Sequence, residues 1–225
     1  MKQNVLDSLV EFHLRPDADA RLTQTVSAMC EAAINPFEPV SPRAHANPQV
    51  LSGKASQARL QAAVSRFDDV VTSSFNPNDL AKLLLEVPRR ENAAGVKAVA
   101  AKLFRRVLGP DYALVEADGW PMVQQGDGEG VPVFLISRGE RAVLSFCVYL
   151  ALAHDMVQPG MCLGLKGVIE EVDSARRLAM VECLGQFMLA TGSSLYIQTE
   201  NQDVLRTVTT YLVPVARLAA GARAP

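Results

Sequence analysis

The sequence lacks the features that would tie it to a membrane, to the cell exterior or to a broad nucleic-acid surface. No run approaches the roughly 20 apolar residues of a membrane span, and residues 1–7 lack the apolar core of a signal peptide. The four cysteines lie far apart and follow no zinc or disulfide spacing. The net charge of −2 excludes a globally basic surface. These absences predict a cytoplasmic protein with reduced thiols and no membrane contact.

What is present is enough apolar sequence for a sizeable core, since 49% of the 225 residues are hydrophobic and 20% are charged. Positive charge is concentrated only in three doublets, Arg89-Arg90, Arg105-Arg106 and Arg176-Arg177. Doublets on amphipathic helices are typical of solvated faces rather than of phosphate sites.

The order of patterns divides the chain into five parts. Residues 1–34 are predicted to be an N-terminal helical segment, with helices over 5–14 and 20–33. Four prolines between residues 35 and 48 predict a linker over 35–54. A helical region over 55–90, with helices over 55–73 and 79–85, precedes the main lobe over 91–218, and 219–225 are predicted to be a loose tail.

The main lobe alternates helices and strands. Helices are predicted over 93–108, from 138 onward, over 174–189 and over 203–207, and strands over 112–117, 162–169, 194–199 and 211–215. Turn residues around 118–130 predict a small antiparallel meander. The pattern predicts an α/β fold, in which a mostly parallel sheet with flanking helices is preceded by the N-terminal helical region.

The first informative segment is Ile136-Ser137-Arg138-Gly139-Glu140-Arg141, which runs into an apolar stretch ending at Ala153. A helix start leaves about four N–H groups without intrahelical partners and carries partial positive charge, so small residues there let a phosphate approach. Ser137 and Gly139 suit that contact. The spacing of Ser137 and Glu140 is also that of a capping box, and the segment alone leaves both interpretations open.

The second informative segment is Gly167-Val168-Ile169-Glu170-Glu171-Val172-Asp173-Ser174-Ala175-Arg176-Arg177. It lies about thirty residues after the first segment, a spacing that fits one βαβ crossover. Its acidic residues also fit a helix N-terminus, where Glu170, Glu171 and Asp173 would complement the helix dipole.

Together the two segments resemble the signature motif and the Walker B strand with its D-loop in ABC-type ATPase heads, most of all in the SMC and DNA-repair branch. That family reads Leu-Ser-Gly-Gly-Glu-Arg/Lys in the first motif and Asp-Glu-Val-Asp-Ala-Ala-Leu-Asp in the second. The resemblance covers roughly residues 90–215 and implies the C-terminal lobe of such a head. It departs from the family at Arg177, where the D-loop ends in Asp.

Two other parts of the family pattern are missing. The phosphate loop Gly-x-x-x-x-Gly-Lys-Ser/Thr does not occur, and its nearest fragment, Leu51-Ser52-Gly53-Lys54-Ala55-Ser56, has Ala55 in place of the metal-binding hydroxyl. We interpret that fragment as a surface turn. No histidine follows the strand predicted over 194–199, where the family keeps its switch histidine.

The resemblance implies a role for six residues. The residues that would contact ATP held by a partner chain are Ser137, Arg138, Gly139 and Glu140. Glu170 would take the place of the Mg²⁺-binding carboxylate, and Glu171 would polarise the attacking water.

The expected function is that of a head subunit or a degenerate ATPase lobe in a DNA-processing or defence complex. The expected partners are a protein that carries the phosphate loop or, through self-association, a second copy of the chain. ATP and Mg²⁺ would be used only with a partner that supplies the phosphate loop, and nucleic acid would be reached through the complex. No ATPase activity is expected of the chain alone. The alternative is a non-catalytic protein–protein interaction module that keeps the fold without nucleotide chemistry.

Overall fold

The computed structural model describes residues 8–18, 21–22, 37, 78–117, 120–156, 162–199 and 201–219. The elements with bounds in these ranges are β1 Ser8–Leu14, α1 Leu80–Glu86, α2 Ala93–Leu108, β2 Tyr112–Ala117, β3 Trp120–Gln125, β4 Val131–Pro132, α3 Arg138–Asp155, β5 Cys162–Lys166, α4 Ser174–Thr191, β6 Ser194–Thr199, α5 Gln202–Val208 and β7 Leu212–Ala219. Short 3-10 helices lie at Val87–Arg89 and Val168–Glu171. The predicted α/β class is confirmed. Within these ranges no helix is long and apolar enough to cross a membrane.

The larger sheet has four strands in the order β5-β6-β1-β7. Strands β5 and β6 are parallel and are connected through α4, whereas β1 pairs antiparallel with both β6 and β7. The sheet is therefore mixed, not mostly parallel as predicted, because β1 lies between two strands that run opposite to it. A separate antiparallel sheet, in the order β2-β3-β4, is the predicted meander.

The predicted helix over 5–14 is wrong for Ser8–Leu14, which form a strand. Val10, Phe12 and Leu14 alternate with polar neighbours, as a strand requires, and Phe12 is fully buried. Pairing on both edges satisfies backbone groups that a helix would have satisfied internally.

Most of the first third of the predicted organisation lies outside the described residues. This applies to the helix predicted over 55–73 and to nearly all of the one over 20–33, of which Arg21 and Leu22 are helical. In the predicted linker over 35–54 only Phe37 is described. Its ring is buried and lies 5.3 Å from the rings of His154 and Phe187, so this residue belongs to the core.

The centre of the core is formed by α3 and α4, which contact each other. Every residue from Val143 to Ala153 and from Met180 to Met188 is buried, as expected of helices that are surrounded on nearly all sides. The hydroxyl of Tyr149 ties α3 to the edge strand β5, because it donates to the Gly164 carbonyl at 3.2 Å and accepts from the Gly164 N–H at 3.3 Å.

The strand predicted over 162–169 ends earlier, at Lys166. Gly167 adopts φ 75°, in the left-handed region that glycine tolerates best, and the chain then turns into the 3-10 helix Val168–Glu171. Glu170 and Glu171 therefore stand in a tight turn after β5 rather than at the end of a continuous strand.

Candidate functional site

Helix α3 begins with a complete capping box. The Ser137 hydroxyl accepts a hydrogen bond from the Glu140 N–H at 3.2 Å, and the Glu140 carboxylate accepts one from the Ser137 N–H at 2.9 Å. The capping interpretation of these two side chains is thus confirmed. It satisfies two of the backbone donors that a helix start leaves open.

Two further backbone donors at this helix start stay open. Within the described part of the chain, the N–H groups of Arg138 and Gly139 have no acceptor. Gly139 also leaves space above the helix end. A Cβ atom placed on it would lie 3.6 Å from the Glu171 carbonyl oxygen and 3.8 Å from a guanidinium nitrogen of Arg176, which are ordinary contacts. Open N–H groups at the positive end of an 18-residue helix are suited to an anion.

The start of α3 contacts the turn that carries the two glutamates. The Arg138 guanidinium forms a two-point ion pair with the Glu171 carboxylate, in which one nitrogen-to-oxygen distance, from Nη2 to Oε1, is 2.6 Å. The Arg138 side chain is 79% exposed, so water screens this pair and its contribution to stability is small. Its importance is geometric, because it joins the two segments that the sequence singled out.

Glu170 faces a different neighbour. Its carboxylate accepts a hydrogen bond from the hydroxyl of Thr199, the last residue of β6, and that hydroxyl also accepts the Asn201 N–H at 3.0 Å. Glu170 and Thr199 thus meet beyond the carboxyl ends of the parallel strands β5 and β6. This is the edge at which open α/β sheets commonly hold their ligands.

Charged and phenolic groups surround the capping box. The hydrogen bond from the Ser137 side chain, assisted by one from Tyr112, lowers the pKa of Glu140 below its usual value of 4.5. Burial raises the pKa of Tyr112 above its usual value of 10.0, and the charge of Glu140 raises it further. The nearby Arg176 favours the charged form of both groups. Glu140 therefore stays ionised at neutral pH.

Asp173 caps the next helix, α4. Its carboxylate accepts the N–H groups of Ala175 and Arg176, both at 3.0 Å, and the bond from Arg176 is the main cause that lowers the pKa of Asp173 below its usual value of 3.8. The interpretation of an acidic helix start is confirmed for Asp173. It does not extend to Glu170 and Glu171, which precede α4 in the 3-10 helix.

The second arginine of each basic doublet is not the solvated side chain that was predicted. Arg90 forms an ion pair with Asp155 at 2.8 Å, and Arg106 donates to the Gln186 side chain at 2.7 Å. Arg177 donates to the carbonyls of Ile169 and Val172 at 3.3 and 3.1 Å, so it holds the turn between β5 and α4. These arginines connect neighbouring elements, because their aliphatic chains pack against the protein while their guanidinium groups donate hydrogen bonds to oxygen atoms.

The structure brings five of the six predicted residues together on one face. The sixth, Glu170, is next to Glu171 in sequence, but its carboxylate contacts Thr199 instead. The five residues are Ser137, Arg138, Gly139 and Glu140 at the start of α3, and Glu171, which contacts Arg138. The sequence did not assign Tyr112, Arg176 or Thr199 to this site, because their contacts cross between elements. The described residues contain no group of three or more His, Cys, Asp or Glu side chains arranged to hold a metal ion. Glu170 thus offers one carboxylate, which fits Mg²⁺ only when phosphate oxygens complete the coordination.

The chain was also compared with known proteins. No protein-family model matches it, and no curated protein sequence matches it.

Proposed function

We propose that the chain acts as a lobe of an ABC/SMC-type ATPase head that presents the start of α3 to a nucleotide held by a partner chain. The observation that carries the proposal is the contact of Arg138 with Glu171. It joins the signature-like segment to Glu171 in one exposed face, although a buried helix and a strand separate the two segments in sequence. The setting would be a DNA-processing or defence complex.

The chemistry of the face fits a phosphate that arrives from outside. The open N–H groups of Arg138 and Gly139 and the positive helix end favour a γ-phosphate, and Arg138 adds a guanidinium whose fork matches phosphate oxygens. In exchanging Glu171 for phosphate, Arg138 would release that carboxylate to polarise a water molecule. Glu170, held by Thr199, would supply the carboxylate for a Mg²⁺ ion that arrives with the nucleotide.

A partner is required because no part of the sequence supplies a phosphate loop. In calorimetric titration of the purified chain with Mg-ATP we expect no binding. Micromolar binding to the chain alone would contradict the division of the site between two chains.

The decisive experiment is Ser137→Arg in the tagged chain isolated with its natural partners. The larger side chain blocks the helix start, and we expect the ATPase activity of the complex to fall by at least about tenfold. Ala94→Arg, which introduces the same side chain at an exposed position in the first turn of α2, is the matched control and should leave activity unchanged. Ser137→Ala reports separately what the loss of the cap does to stability. Full ATPase activity in the Ser137→Arg complex would rule the proposal out.

A second candidate is the non-catalytic interaction module. It is favoured by the intramolecular partners of the polar side chains at the site, since Ser137 bonds Glu140, Arg138 bonds Glu171 and Thr199 bonds Glu170. In that case the isolated complex binds and releases its partners equally with and without ATP. Ser137→Arg would then change partner affinity without any nucleotide dependence.

A further inference from the structure

Three large apolar side chains are exposed between the start of β4 and the start of α3, in the residues here called the 131–135 segment. The exposed fractions are 42% for Val131, 63% for Phe134 and 68% for Leu135. Single exposed apolar residues are ordinary on protein surfaces, whereas a cluster of them marks a contact surface.

The exposure of these side chains is fixed by the backbone. The Leu135 N–H donates to the Pro132 carbonyl at 2.8 Å, which closes a turn. That turn directs Val133 and Ile136 into the core, where both are buried. Phe134 and Leu135, which lie between them, are left outside.

Charges of opposite sign flank the 131–135 segment. On one side Asp127 and Glu129 are exposed in the turn between β3 and β4, and on the other Arg138 and Arg141 are exposed on the first turn of α3. Across the residues that the structure describes, Asp127, Glu129 and Arg141 form no ion pair. The order of these exposed groups along the chain is therefore acidic, apolar, basic.

We propose that a second copy of this chain covers the 131–135 segment in a two-fold symmetric dimer. A two-fold axis through the apolar centre reverses the order of the flanks, so the acidic turn of each copy meets Arg141 of the other. A partner of a single charge sign would leave one flank facing like charge. An apolar centre with a charged rim is the usual composition of such interfaces.

This dimer does not depend on nucleotide and does not rest on the proposed ATPase role. Since Ser137 follows Leu135 by two residues, the dimer and a nucleotide-bearing partner would compete for the same face. Self-association would then keep the start of α3 covered until that partner displaces the second copy.

The first test is sedimentation analysis of the full chain without nucleotide over a range of micromolar concentrations. We expect a reversible monomer–dimer equilibrium whose dissociation constant rises with salt concentration. The double variant Phe134→Ser/Leu135→Ser should raise the dissociation constant by at least about tenfold, as loss of a central apolar contact does. Leu85→Ser, an equally exposed leucine on α1, is the matched control and should change nothing.

The second test is charge exchange between Glu129 and Arg141. Glu129→Lys alone and Arg141→Glu alone should each weaken the dimer. In a two-fold dimer residue 129 of each copy faces residue 141 of the other, so either change places like charges opposite each other at two positions. An equimolar mixture of the two single variants should form a heterodimer, and the double variant Glu129→Lys/Arg141→Glu should regain wild-type affinity.

Three outcomes would overturn the dimer: a monomer at all concentrations, a dimer unaffected by Phe134→Ser/Leu135→Ser, or single charge variants that fail to complement each other. Circular dichroism and thermal unfolding of every variant confirm that the comparison is made between folded chains. None of these results bears on the ATPase proposal, because no nucleotide is present and Ser137 is unchanged.

Discussion

At the scale of single residues, Gly139 stands out because the fold does not require a glycine there. Its backbone is helical, and an added Cβ would meet nothing closer than 3.6 Å. Gly95, near the start of α2, differs, because a Cβ there would lie 2.4 Å from the capping side chain of Asn92. Packing within the fold therefore does not account for a glycine at position 139, whereas the proposed approach of a phosphate would.

Gly139→Ala should raise the free energy of unfolding by about 0.5–1 kcal/mol, because alanine loses less backbone freedom than glycine on entering a helix. Chemical denaturation measures this, with Gly95→Ala as the comparison that should bring no such gain. The same Gly139→Ala change should lower the ATPase activity of the isolated complex. A destabilised Gly139→Ala protein would show instead that the glycine is structural.

At the scale of elements, the starts of α3 and α4 are built alike. Each has a side-chain cap and an ionised carboxylate in its first turn or at its cap, Glu140 in α3 and Asp173 in α4. Both carboxylates have a pKa below the usual value, so the unfolded chain takes up protons at a higher pH than the folded one does. Their contribution to stability is complete above the usual pKa values and is lost as pH falls through the lowered ones.

The pH dependence of stability tests whether the ionised Glu140 and Asp173 stabilise these two helix starts. Urea unfolding of the wild-type chain at a series of pH values should show that the free energy of unfolding decreases once the pH drops under about 4.5. The variant Glu140→Gln/Asp173→Asn keeps side chains that can cap and removes both charges. It should lose about 0.3–1 kcal/mol per carboxylate at neutral pH and show a flatter decline in acid. An unchanged slope would mean that these carboxylates interact equally in both states.

Elements with local signals were predictable from the sequence. The bounds of α2, β2 and β6 agree with the predicted ones, since Asn92 before α2 and Gly109 after it mark that helix and short β-rich runs mark the strands. Strand β1 was not predictable, because Leu6, Val10 and Leu14 also fit a helical repeat. Its partners β6 and β7 are remote in sequence. For the same reason the Arg138–Glu171 and Thr199–Glu170 contacts could not be derived from spacing.

At the scale of the whole molecule, the sheet depends on a strand from the start of the chain. Strand β1 is hydrogen-bonded to β6 on one edge and to β7 on the other. Its Phe12 is fully buried and belongs to the same apolar core as the helices. The resemblance to a head lobe, which concerns only roughly residues 90–215, therefore leaves out a central strand of the sheet.

Phe12→Ala should lower the free energy of unfolding by about 3–5 kcal/mol, because it removes a fully buried ring and leaves a cavity between the sheet and the helices. Phe134→Ala is the matched control, since the Phe134 ring is 63% exposed, and its effect should stay within about 0.5 kcal/mol. Both values come from denaturant unfolding of the monomer. A loss below about 1 kcal/mol for Phe12→Ala would contradict the central place of β1.

The position of β1 also sets the order in which the molecule assembles during synthesis. Its two neighbours are made late, and the Arg15 guanidinium that follows it bonds the Thr209 carbonyl, 194 positions away. At about 5–20 residues per second, β1 leaves the ribosome roughly 10–40 s before β7 does. Until β6 and β7 have been made, the edges that they cover on β1 are open to other strands, so the yield of folded protein depends on what shields β1 during that interval.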